Sequence, residues 1–154
     1  MERLAFYLIA ALVAGAILLC RGWLLAMFKP DNYDCDPYGW IVNQTSHVAL
    51  GVLIVLVAAL VGRWLLGEYP YRIELFLIAL AYVLLFELVV QPWNGADTAH
   101  DITFMGIYGA GGALLVFREV RPGQVEVSGD LWLAALVAVV VVLHLAVGAA
   151  LRWR

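Results

Sequence analysis

The residues of this chain that can do chemistry are few, and most of them fall in three short stretches. Asn43 with His47, Glu87 with Gln91, and Asp97 with Asp101 are each four positions apart, the spacing that makes side chains neighbours on one helical face. His100 follows Asp97 by three and can share its face. Imidazole and carboxylate together are a donor set for a divalent cation held by nitrogen and oxygen, with His47, Glu87, His100 and Asp101 as candidate ligands. A cation there would activate water against a phosphoryl or acyl group. Without one, Glu87, Asp97, Asp101 and His47 are candidate catalytic acids and bases acting on a lipid head group. Arg21, Asn43 and Gln91 are the candidates for holding a substrate, Arg21 as an anion partner. Ser46 adjoins His47, but adjacent residues point apart on a helix, so no nucleophile has an evident base.

Each of these residues also has a plainer reading. Asp97 can cap a helix N-terminus, with Asp101 interacting with its positive end. His47 can be an interhelical hydrogen bonder, and His100 can lie at the membrane interface. Arg21 can snorkel to that interface. His144 stands alone in an apolar stretch and is read as structural. Glu87 resists such a reading, because Phe86 and Leu88 flank it inside an apolar segment. Ionisable groups at that depth cost ~2.5–3.5 kcal/mol each on insertion scales and are retained for pairing, ion binding or chemistry.

The elements that must position these residues are membrane spans. The 154 residues are 65% hydrophobic and 14% charged, with a mean hydropathy of +0.93, whereas a soluble domain carries about a quarter charged residues. Apolar runs approach the ~20 residues needed to cross a hydrocarbon layer. Five can be drawn, at about 4–27, 46–66, 73–91, 100–117 and 131–151, giving an all-α, polytopic bundle in a single membrane domain. The first run lacks a basic n-region and a clean cleavage site, so it reads as a retained span rather than a signal peptide. Five spans put the termini on opposite sides. Arg63, Arg72, Arg118 and Arg121 flank loops two and four, while Asp31, Asp34, Asp36 and Asp97 lie in or beside loops one and three. The positive-inside rule then sets the N-terminus in the cytoplasm and loops one and three outside. All three polar stretches fall at that outer face.

Other features are absorbed by the frame. Gly106, Gly109, Ala110, Gly112 and Ala113 form a small-residue stripe suited to close helix packing. Trp23, Trp40, Trp64, Trp93, Trp132 and Trp153 sit near span ends, as an aromatic belt does. The acidic residues of loop one lack EF-hand spacing and read as a solvated cap. Cys20 and Cys35 show no metal-ligand spacing; two free thiols is the simpler reading and a single bridge the other. A net charge of −3 gives no footprint for nucleic acid. The partners expected are membrane lipids, a lipid-linked envelope substrate and a membrane protein partner.

Asn43-Gln44-Thr45-Ser46-His47, then Glu87 near a span end, then Asp97-Thr98-Ala99-His100-Asp101-Ile102 leading into a Gly/Ala-rich span, resembles the VanZ-like and YjdF-like small bacterial membrane proteins. The resemblance covers about residues 43–113. Gln91 stands one residue further from Glu87 than in the VanZ pattern, and Met105 stands where that pattern has asparagine. What the resemblance implies is a multi-pass protein of the bacterial inner membrane. Function is thus expected to be the binding or processing of a lipid or cell-envelope precursor, by hydrolysis or transfer with a divalent cation as possible cofactor. The rival is a non-catalytic accessory subunit whose polar cluster locks spans two to four together.

Overall fold

The computed structural model describes residues 2–23, 37–91, 95–121 and 124–127, together with positions 139, 140, 143 and 146. Its helices are α1 (Glu2–Leu19), α2 (Pro37–Leu66) and α3 (Arg72–Leu84), the last widening into a π-helical segment, π1 (Leu85–Val90). A fourth helical run follows as α4 (Ala96–Ile102), a second π-helical segment, π2 (Thr103–Gly111), and α5 (Gly112–Val116).

Among the described residues, three stretches are long and apolar enough to cross a membrane: Glu2–Leu19, Gly39–Leu66 and Arg72–Val90. The shortest has 18 residues, so it is ~27 Å long at 1.5 Å per residue, close to the thickness of a hydrocarbon layer. Their outward faces are apolar: Leu12 is 72% exposed and Leu60 62%. In water a contiguous surface of this kind would drive association; against lipid tails it carries no such penalty. The fourth expected span corresponds to the run 96–116, which holds Asp97, His100 and Asp101 at its start. The fifth, 131–151, lies outside the described residues except for the helical, exposed positions 139, 140, 143 and 146; His144 is among those outside.

Two boundaries differ from the sequence reading. The second span is expected from 46, yet α2 begins at Pro37. Proline suits a first helical turn, where its missing N–H has no partner to lose. Asn43 and Gln44 are drawn inside the helix because that face meets protein; Gln44 is fully buried. The fourth loop is not irregular throughout. Phe117–Arg121 (β1) and Gln124–Val127 (β2) pair antiparallel, Phe117 opposite Val127 and Arg118 opposite Glu126, with a register shift between Glu119 and Arg121. The described residues are therefore helical with one two-stranded hairpin.

The core lies where α2, α3 and the fourth run meet: Val55 and Ala59 of α2, Leu75 and Ala79 of α3, Ala110, Ala113 and Leu114 beyond them. Small residues set how close these helices come. A Cβ on Gly51 would run into the carbonyl oxygen of Met105 and lie 2.8 Å from the Ala110 nitrogen; one on Gly109 would lie 2.5 Å from the Val48 carbonyl oxygen. Gly51 and Gly109 thus meet almost backbone to backbone, as the small-residue stripe leads one to expect. Gly67, at φ +71, takes the left-handed conformation just after α2, the usual role of a glycine past a helix C-terminus.

The first helix is fastened at both ends to α3. Arg3 donates to both Glu74 carboxylate oxygens at 2.6 Å and to Glu68 Oε1 at 2.9 Å. Arg21 Nε donates to the Val90 carbonyl at 3.0 Å. These two links make α1 and α3 parallel. Between them, Tyr82 donates its hydroxyl to the Ala10 carbonyl at 2.7 Å. Phe6 is the only buried side chain of α1. An apolar cleft of about 280 Å³ runs between α1, α2 and α3, from Phe6 and Val61 to Ile17, Leu50 and Phe86.

Candidate functional site

Three elements deliver the site. From α2, His47 and Gln44 project on one face, three residues apart. From π1 comes Glu87, and from the last turn of α4 comes Asp101. All four are buried, Glu87 to 1% and Asp101 to 2% exposure. The Gly51–Gly109 approach lies one turn beyond His47 along α2 and two turns beyond Asp101, and so holds His47 and Asp101 within reach of each other.

The geometry is a triangle of donors. His47 Nε2 lies 3.6 Å from Glu87 Oε1 and 3.5 Å from Asp101 Oδ2. One atom from each of the three residues lies within 4.8 Å of the others. These separations exceed the ~2.7–3.2 Å of an N–H···O hydrogen bond. His47 Nδ1 lies 2.9 Å from the Asn43 carbonyl oxygen. A carbonyl can only accept, so Nδ1 carries the hydrogen, and in the neutral ring the Nε2 lone pair faces the two carboxylates. Gln44 Nε2 donates to Asp101 Oδ1 at 3.2 Å, fixing that carboxylate.

Among the described residues, both Glu87 oxygens and Gln44 Oε1 are buried with no hydrogen-bond partner. Such groups are rare in folded proteins and costly to maintain. The contrast with Glu74, at the opposite end of α3, is informative. Glu74 is also buried, but it accepts from Arg3, from the Tyr7 hydroxyl, and from the Tyr71 backbone N–H at 2.7 Å. The last is one half of a capping box at the start of α3. The fold can satisfy a buried carboxylate completely, and at Glu87 it does not.

The other nominated residues are placed as follows. Asn43 is half-buried and contributes its backbone carbonyl. Gln91 is half-buried, its N–H bonded back to the Phe86 carbonyl at 2.9 Å across the wide π turn. Asp97 is half-buried in the first turn of α4, where Gly95 rather than Asp97 occupies the cap position. His100 is exposed and lies outside the triangle. Arg21 is exposed and spends its Nε on the end of α3, a favourable place for a cation. Ser46 donates to the Val42 carbonyl at 2.8 Å and is exposed. Trp40 does not join an aromatic belt: it is buried and meets Phe104 edge-on, ring centroids 5.9 Å apart. Trp23 and Trp64 are exposed, as belt residues are. Cys20 is a free, exposed thiol; Cys35, like positions 24–36 as a whole, Trp93, Trp132 and Trp153, lies outside the described residues.

Gln44, bonded to Asp101, and the buried Thr98 are not marked by the offset-of-four pattern. Each stands three residues before a site residue, His47 and Asp101. That spacing shares a helical face as surely as four does, so the signal was present.

No family model, curated protein or solved structure matches this chain.

Proposed function

We propose that this chain is a multi-pass protein of the bacterial inner membrane, with five spans and a cytoplasmic N-terminus. Its His47–Glu87–Asp101 cluster, near the outer face, binds or processes a lipid or lipid-linked envelope precursor by hydrolysis or transfer. The observation that carries this reading is Glu87, a fully buried carboxylate without a hydrogen bond, aimed at an imidazole in a membrane-length helix. Uncompensated ionisable groups at such depth are kept for chemistry or ion handling rather than for stability.

In this reading His47 works through Nε2, as acid or base in a metal-free cluster and as a ligand where the cluster holds a cation. The ring's tautomer is set by Asn43, and Gln44 holds Asp101 in position. Asp97, in the first turn of α4, and Arg21, bonded to the Val90 carbonyl, are the groups assigned to the cluster's mouth. The cleft supports a substrate with a hydrocarbon chain: its lining reaches Leu50, three residues past His47, and Phe86, adjacent to Glu87. A chain lying there ends beside the cluster. The likeness to VanZ-like and YjdF-like proteins supports the same setting. In π1 one more residue fits per turn than in an α-helix, which accommodates the wider Glu87–Gln91 spacing.

The accessory-subunit reading has one observation in its favour: His47 spans Glu87 and Asp101 and so ties three helical runs together. Glu87→Gln separates the two. Purified protein is incubated with extracted inner-membrane lipids and polyprenyl-linked precursors, and products are followed by mass spectrometry. The functional reading expects product from the wild type, a loss of ~100-fold or more in Glu87→Gln as for removal of an acid–base group, and unchanged detergent stability. Lower yield and thermal stability in Glu87→Gln, with no product from either protein, would establish the accessory role instead.

A further inference from the structure

We propose that His47 Nε2, Glu87 and Asp101 bind one divalent first-row cation, zinc by its nitrogen and oxygen donor set, leaving one coordination position open. Glu87 and Asp101 ionised, with His47 neutral, place a charge of −2 in a buried site within the helical bundle. Protons relieve this one group at a time, on a carboxylate or on His47 Nε2. A single divalent cation cancels it entirely, and does so for donors that already converge.

The distances discriminate between a proton and a metal. A shared proton draws its two heavy atoms together to hydrogen-bond length, whereas His47 Nε2 stands 3.5 and 3.6 Å from the carboxylate oxygens. Zinc bound at ~2.0–2.2 Å to nitrogen and oxygen sets tetrahedrally arranged ligands ~3.4 Å apart, against ~2.9 Å for neighbouring octahedral ligands. The two His47 spacings lie near the tetrahedral value, and all three donor atoms lie within 4.8 Å of one another, so a bound ion would draw the carboxylates slightly inward. Three protein ligands and one vacancy is the composition of catalytic rather than structural zinc sites.

The surroundings are those of a metal site as well. A metal-bound histidine typically donates its other ring N–H to a carbonyl or carboxylate, which orients the ring and raises its basicity. His47 Nδ1 does this with Asn43. Ligating carboxylates are in turn held by hydrogen bonds, as Asp101 is by Gln44. Glu87, with both oxygens unbonded, is the ligand with most to gain. His100, exposed on the same helix as Asp101, takes no part. The cation would take His47 Nε2 as a ligand in place of its acid–base role, and its binding is measured without any substrate.

The test uses untagged full-length protein purified in detergent without chelator. Elemental mass spectrometry is expected to find about one zinc per chain in the wild type and in His100→Ala. Glu87→Gln combined with Asp101→Asn, which keeps the side-chain shapes, is expected to lose it. A second measurement does not depend on the variant folding. Wild-type protein stripped by a chelator and titrated with Co²⁺ should develop the visible absorption of a four-coordinate ion, saturating at about one equivalent. No uptake of zinc or cobalt by the wild type, or equal uptake by the double variant, overturns the site.

Discussion

Two buried glutamates on one helix, Glu74 and Glu87, do opposite things, and substitution tells them apart. Removing Glu74 deprives the Tyr7 hydroxyl and the Tyr71 N–H of their acceptor and leaves Arg3 with Glu68 alone as its carboxylate partner. Breaking a buried ion pair from one side costs ~3–5 kcal/mol, and Arg3, a third exposed, recovers part of that by hydration. Glu74→Ala is therefore expected to lose about 2–3 kcal/mol and to lower the thermal midpoint in detergent; a midpoint unchanged from the wild type would show that α1 is held by other means. At this scale the sequence was legible in residue type and only partly in partner. Glu87, His47 and Asp101 were identifiable because ionisable residues are conspicuous in apolar runs. Asn43 was preferred over Gln44 because offsets of three and four are equally good on an isolated helix. The choice is made by which neighbour, here Asp101, lies across the gap. Glu74 drew no notice for a similar reason: its partners Arg3 and Tyr7 are about seventy positions away.

Among the elements, the crossing of α2 with the fourth run sets the site's dimensions. A methyl group on Gly51 meets backbone atoms of Met105 and Ala110, which cannot rotate away. Gly51→Ala is expected to force the helices apart at a cost of ~1–3 kcal/mol, as overpacking does. It should also draw Asp101 away from His47. The check is a lowered thermal midpoint together with weakened Co²⁺ uptake. Gly15→Ala, where a Cβ meets nothing within 4 Å, serves as the control. A Gly51→Ala protein as stable as that control would mean the two backbones are not in contact. The glycine stripe was readable as a packing surface; its partner Gly51 was not singled out, since one glycine in an apolar span carries no pattern. The π segments left no trace in the periodicity, because a wide turn changes phase by less than an apolar helix can reveal. The hairpin after Val116 was missed because Pro122-Gly123 reads equally as loop or turn, and the flanking residues are too mixed in character to announce strands.

For the molecule as a whole, the membrane-length apolar helices Glu2–Leu19, Gly39–Leu66 and Arg72–Val90 were legible in the sequence, since composition and run length are what a bilayer selects for. The orientation rests on loop charge and is testable with a native thiol. In a Cys20→Ser variant, Cys35 of loop one is the sole cysteine. A membrane-impermeant maleimide should label it in intact spheroplasts; labelling only after lysis would reverse the topology and put the cluster on the cytoplasmic side. The attachment of α1 has a kinetic counterpart. Fastened to the α3–π1 run through Arg3 near one end, Arg21 past the other and the Tyr82 hydroxyl on the Ala10 carbonyl between them, with Phe6 its one buried side chain, it walls the cleft's mid-section with partly exposed side chains such as Ile9 and Val13. A hydrocarbon guest entering there arrives from within the leaflet, by two-dimensional diffusion. Saturation would then follow its mole fraction among the surrounding lipids, and adding detergent or bulk phospholipid at constant protein would slow turnover by dilution alone.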